Sequence, residues 1–165
     1  MSPRAVLAAV TALLLAGSDG AARAPQPWIR DATQAVANAM AEARKTGKHV
    51  LLNFGADWCR ECRILEKTFA EPDVARFLHA NFVTVSVPVG DMVGLNYAGA
   101  NVQLVRKYGV FTTTENAGIP SIVILDSAGN VIARTDAGEW RREPAVQPEN
   151  VLRDLKRWAP KGGGG

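Results

Sequence analysis

Asn53-Phe54-Gly55-Ala56-Asp57-Trp58-Cys59-Arg60-Glu61-Cys62 decides the fold of this chain. It follows an apolar run, Val50-Leu51-Leu52, and it holds both cysteines of the 165 residues. Apolarity from 49 to 54 is continuous rather than alternating, broken only at Asn53, which predicts a central strand covered on both faces. A short polar turn and a Trp come next. A Cys-x-x-Cys then opens a helical pattern whose apolar stripe is Ile64, Leu65, Thr68 and Phe69.

Cysteines three apart on a first helical turn share one face, within the short Cα separation that a disulfide requires. Cys59 at the helix start meets unpaired backbone N–H groups and the positive end of the dipole, which favour thiolate over thiol. Cys62, one turn further in, is expected to be more buried and less acidic. Thiol–disulfide exchange uses this asymmetry: an exposed thiolate attacks a disulfide, and a second thiol resolves the mixed disulfide.

Three other uses of such a pair exist. Attachment of a c-type haem requires His directly after the second Cys, and Arg63 stands there. A metal site would need two more ligands, for which His49 and His79 are the only histidines. A purely structural disulfide would close too small a loop to constrain the unfolded chain much. The redox reading is the one the residues favour, with the Cys59–Cys62 disulfide as its redox group and no other cofactor.

Outward from this centre, the chain reads as one domain. Residues 29–46 have helical spacing, with Ile29, Ala32, Val36, Ala39, Met40 and Ala43 on one face and Gly47 as the stop. Asp31 near the start suits the helix dipole. After the Cys helix, Pro72-Asp73 punctuates, and Val74, Phe77 and Leu78 continue for an amphipathic turn or two. Residues 82–87 form a second strand, 88–100 a loop, and 102–108 a short helix stopped by Gly109. Residues 121–125 and 131–134 are two strands joined by Asp126-Ser127-Ala128-Gly129-Asn130, a hairpin loop. Residues 138–148 are irregular, and 148–158 close as a helix with Val151, Leu152, Leu155 and Trp158 inward. The expected architecture is α/β, a mixed central β-sheet with helices on both faces.

The first 22 residues read as an export signal. Arg4 precedes an apolar run over residues 5–16, followed by small residues at 20–24, with cleavage after Ala22 or as late as Ala24. The run is shorter than the roughly 20 apolar residues that a membrane span needs. An uncleaved anchor or a disordered leader is the alternative. The domain is then expected over 28–158, with a disordered tail at 159–165, and a periplasmic or secreted location.

Composition excludes other classes. The net charge of +3 is mild and its basic residues are interleaved with acidic ones, so no nucleic-acid partner is expected. Two cysteines cannot build the disulfide scaffold of a small secreted protein or a four-thiolate zinc site.

Ala56-Asp57-Trp58-Cys59-x-x-Cys62 after an apolar strand, with Tyr108-Gly109-Val110 and Gly118-Ile119-Pro120-Ser121 downstream, resembles the thioredoxin-like family. The likeness is to its exported thiol–disulfide oxidoreductases, similar to the C-terminal domain of the bacterial transmembrane thiol–disulfide reductase. The resemblance implies the thioredoxin-like fold, Cys59 as nucleophile and Cys62 as resolving thiol. It implies that the Ile119–Pro120 bond is cis and lies against the Cys pair, leaving the Ile119 backbone free to pair with an extended substrate. Trp58 would flank the nucleophile as an apolar platform for substrate. Partners would be proteins bearing disulfides or thiols and, for a reductase, a membrane electron donor; the domain would be a monomer. A thiol oxidase of the same fold, or a binding or chaperone module without redox turnover, is the alternative.

The chain departs from the family at three places. Thioredoxins carry a buried Asp where Asn53 stands, and Asn cannot act as a base, so Cys62 is expected to lose its proton to water or with help from a substrate or partner. Arg60-Glu61 replaces Gly-Pro between the cysteines. Arg60 favours the Cys59 thiolate and Glu61 opposes it, so both tune its pKa. Residues 111–118 are an insertion beside the expected site, there to shape partner choice or as a tolerated surface loop. Trp28, Trp140 and Trp158 are read as packing residues, and His49 and His79 are given no role.

Overall fold

After His49, every residue of β1 (His49–Gly55) is buried, as its unbroken apolar run dictates. A strand with no solvated face needs cover on two sides, and the other elements supply it. The structure, a computed structural model, describes residues 31–89, 101–110, 118–135, 139–140 and 144–162. Its elements run α1 (Thr33–Thr46), β1, α2 (Arg60–Ala70), α3 (Pro72–Asn81), β2 (Phe82–Pro88), α4 (Val102–Lys107), β3 (Ser121–Leu125), β4 (Val131–Arg134) and α5 (Pro148–Trp158). The sheet order is β2-β1-β3-β4. β1 runs parallel to β2 and antiparallel to β3, and β3 pairs antiparallel with β4.

Alternation along β1 divides the core in two. Val50, Leu52 and Phe54 pack with Val36, Ala39, Met40 and Ala43 of α1 and with Leu104 and Val105 of α4. Leu51 faces the other way, into a cluster with Leu65 of α2, Val74 and Leu78 of α3, and Val151 and Leu155 of α5. The result is the mixed sheet with helices on both faces that the element order implies. Among the described residues no helix is long and apolar enough to cross a membrane.

Two boundaries differ from the sequence reading. The first helix starts at Thr33, not at 29: Ala32 is its cap, and the Thr33 N–H is held by Asp31 Oδ1 at 2.9 Å. That bond draws the Asp31 carboxyl below its ordinary pKa. Residues 72–81 form a full helix, α3, rather than a turn or two. Pro72 sits in its first turn, where the missing N–H has no intrahelical partner to lose, so it starts the helix instead of interrupting it. The export signal (1–22), Trp28, most of the 88–100 loop, all but Gly118 of the 111–118 insertion and the last residues of the tail (163–165) lie outside the described residues. Trp140 and Trp158 do pack, with ring centroids 5.4 Å apart.

One buried side chain joins three element ends. Asn101 Oδ1 accepts the Ala32 N–H at 2.8 Å, and its Nδ2 donates to the Pro88 carbonyl at 3.0 Å. It thereby fixes the start of α1 against the end of β2 and the start of α4. Asn101→Ala would leave the buried Ala32 N–H without this acceptor and is expected to cost about 1–3 kcal/mol, read as a lower urea midpoint.

Candidate functional site

The site is built where β1 ends. The Gly55 carbonyl still accepts the Val89 N–H at 3.0 Å, so the strand stays in register to its last residue. Four residues later the chain has turned, and Cys59 takes the N-cap of α2 in an extended conformation. Its side chain does what a Ser or Asp does at such a cap: Sγ accepts the Cys62 N–H at 3.1 Å. Cys59 and Cys62 are joined as a disulfide, their Cα atoms 5.2 Å apart.

Cys59 is 4% exposed and Cys62 is fully buried. The asymmetry has the expected sense, but Cys59 is not the open thiolate foreseen from sequence: in the disulfide form the neighbouring chain closes over it. Part of that cover is the segment at Pro120. The Ile119–Pro120 bond is cis, and the Ile119 carbonyl oxygen lies 3.7 Å from Cys59 Sγ. Trp58, beside the nucleophile, is 40% exposed and is one of three large apolar side chains that the described residues present to solvent.

The two side chains between the cysteines meet at the surface, with Arg60 Nη1 3.7 Å from Glu61 Oε1. Asn53 is 1% exposed, and its Oδ1 meets no hydrogen-bond donor among the described residues. Among the described residues no three His, Cys, Asp or Glu side chains converge on a common metal position.

Glu66 was not singled out from sequence. It stands four residues after Cys62, one turn along the same helix face. Partial burial raises its carboxyl above the ordinary pKa, the Asp57 charge raises it further, and Arg63 opposes both. Arg63 Nη1 also donates to the Asp57 carbonyl at 2.6 Å, which ties the turn before Cys59 to the helix after it. The i,i+4 spacing of Glu66 from Cys62 was legible as a signal; its partial burial was not.

The family model for thioredoxin-like proteins matches residues 31–127. The chain belongs to the thioredoxin-like family. Among its relatives, the thiol:disulfide interchange protein DsbD of Cronobacter sakazakii is 32% identical over 144 residues, covering 78% of this chain and 23% of that protein. This chain therefore spans under a quarter of that relative's length. A crystal structure described as a disulphide isomerase from Xylella fastidiosa is 28% identical, with a TM-score of 0.67, covering 83% of this chain and 98% of that one. The oxidised C-terminal domain of Neisseria meningitidis DsbD shares the fold at 18% identity and a TM-score of 0.56, over 79% of this chain and 98% of its own. With a Cys-x-x-Cys disulfide at its centre, this thioredoxin-like domain is a thiol–disulfide oxidoreductase.

The raised pKa of Glu66 gives a pH signature. A carboxyl whose folded pKa lies above its unfolded value penalises the folded state once pH exceeds the unfolded value, and the penalty is complete above the folded pKa. Glu66→Gln removes it. The variant is expected to unfold at a higher urea midpoint than wild type at neutral pH and at the same midpoint below about pH 4. The carboxyl is only partly buried and Arg63 offsets part of the penalty, so the gain should stay under about 1 kcal/mol.

Proposed function

We propose that this domain works outside the cytoplasm, reducing or exchanging disulfides in proteins. The observation that carries the reading is the position of Cys59 Sγ, capping α2 at the Cys62 N–H and 3.7 Å from the Ile119 carbonyl. A sulfur held there is stabilised as thiolate by the helix end, next to a backbone edge that an extended substrate segment would use.

In the reductive direction the Cys59 thiolate attacks one sulfur of a substrate disulfide and expels the other as a thiol, after protonation. The Cys62 thiol then gives up its proton and attacks Cys59 Sγ. The second substrate thiol leaves, and the Cys59–Cys62 disulfide of this structure remains. Glu66, one turn from Cys62 and with its carboxyl held above the ordinary pKa, is the group we assign to exchange that proton, in place of a carboxylate at Asn53. Trp58, Ile119 and Pro120 hold the substrate. Arg60 and Glu61 set the local charge near zero.

The leader at 1–22 supports export, to the periplasm or beyond. The cycle needs no cofactor other than the Cys pair. In an oxidising compartment the disulfide must be re-reduced, so a membrane electron donor is the second partner. The domain acts as a monomer. Likeness to a protein described as a disulphide isomerase supports exchange alongside net reduction.

Insulin reduction by dithiothreitol is the first test. Wild type is expected to accelerate it, and Cys59→Ser to abolish the acceleration; activity that survives Cys59→Ser, or none in wild type, would favour a binding module instead. Cys62→Ser is expected to accumulate mixed disulfides that identify the substrates. A redox potential nearer about −270 mV than −120 mV would fix the direction as reductive.

A further inference from the structure

Thr135 is a buried polar residue that the cycle above leaves unused. It stands one residue past the end of β4, and what it binds follows from the ladder. In an antiparallel pair, opposed residues alternate between those that exchange both backbone hydrogen bonds and those that exchange none. Ile122 and Thr135 come next after the pair Val123 and Arg134, at the end of the ladder nearest Pro120. A regular rung there would join the Thr135 N–H to the Ile122 carbonyl and the Ile122 N–H to the Thr135 carbonyl. The first bond is present, at 3.0 Å. The second is replaced: the Ile122 N–H donates to Thr135 Oγ1 at 2.9 Å. A side chain closes the last rung.

From Ile122 the chain reaches the site in three residues. Ile122 and Ser121 lie opposite Asn53 and Phe54 of β1, and just before Pro120 the Ile119 carbonyl lies 3.7 Å from Cys59 Sγ. β1 supports this stretch along one edge, and Thr135 holds the other. Pro120, the next residue to face the β4 side, has no N–H to donate, so the rung at Ile122 is the last at which β3 can donate to that side. Thr135 is itself anchored, because its neighbour Arg134 donates to the Tyr108 carbonyl at the end of α4. We propose that Thr135 is a positioning residue for substrate: its hydroxyl fixes the start of β3, and through it the Ile119 backbone edge beside Cys59 on which an extended, disulfide-bearing segment pairs. The proposal rests on the thiol–disulfide reading above.

An edge that is already ordered costs a binding segment less than one that must be ordered on contact. Positioning of this kind acts on substrates that use the edge and leaves the sulfur chemistry of Cys59 unchanged. A disulfide too small to carry a peptide backbone does not meet the edge. Loss of the hydroxyl therefore separates two classes of substrate, which a general loosening of the fold would not do.

The experiment measures reduction of insulin and of hydroxyethyl disulfide, with dithiothreitol as reductant, by the full chain and by Thr135→Val and Thr135→Ser. Val keeps the shape of Thr without its acceptor, and Ser keeps the hydroxyl. Thr135→Val is expected to raise KM for insulin about fivefold, the worth of one net hydrogen bond, with kcat unchanged. Its rate with hydroxyethyl disulfide is expected to match wild type, and Thr135→Ser is expected to bring KM for insulin back toward the wild-type value. An unchanged KM in Thr135→Val, an equal loss on both substrates, or a Thr135→Ser as impaired as Thr135→Val would each overturn the proposal. A wild type inert on both substrates would overturn the thiol–disulfide reading itself, and the proposal with it. Should Thr135→Val fail to fold, Thr135→Ala, in which water can reach the Ile122 N–H, is put to the same substrates and the same outcomes decide.

Discussion

The structure depends on burying β1 from both sides. A strand whose residues from Val50 to Gly55 have no solvated face cannot exist until a helix layer covers each side and a strand pairs with each edge. α1 and α4 supply one layer, α2, α3 and α5 the other, and β2 and β3 the two edges. That demand also places the chemistry. The chain leaves the buried strand at Gly55, turns in four residues and begins α2, so its reactive sulfur arrives at the end of a helix whose axis is fixed by the core beneath it.

Much of this was legible in residues. The run around Leu51 and Leu52 announced a central strand because it lacked alternation. Gly109, with its φ of 62°, stopped α4 where a left-handed residue was needed. The hairpin between β3 and β4 was announced by Asp126 to Asn130, where Asp126 Oδ1 gathers the N–H groups of Ala128, Gly129 and Asn130. Pro72 misled because proline both ends helices and begins them, and only the chain on either side decides which. The site itself was half legible. A Cys-x-x-Cys and an Ile-Pro are visible as letters, whereas the closure over Cys59, the mutual pairing of Arg60 with Glu61 and the partial burial of Glu66 depend on where side chains end up in space.

The electrostatics of the site reflect substitution rather than loss. With an amide at position 53, the buried strand carries no titratable group there, and the carboxyl with a raised pKa on α2 is the partly buried Glu66, which Arg63 moderates. Between the cysteines, Arg60 and Glu61 meet each other at the surface. The end of α2 acts on Cys59 as well, and it is a backbone property that no surface substitution removes.

α2 is also held from far along the chain. Thr68 Oγ1 donates to the Val146 carbonyl at 2.7 Å, and Asp154 of α5 accepts the Trp140 indole N–H at 3.1 Å. The helix bearing the cysteines is thus fastened by residues more than seventy positions later. During synthesis the ribosome finishes Cys59 and Cys62 long before it supplies the segment that locks them in place. The segment that carries Val146 and α5 must therefore be made before α2 has its full set of partners.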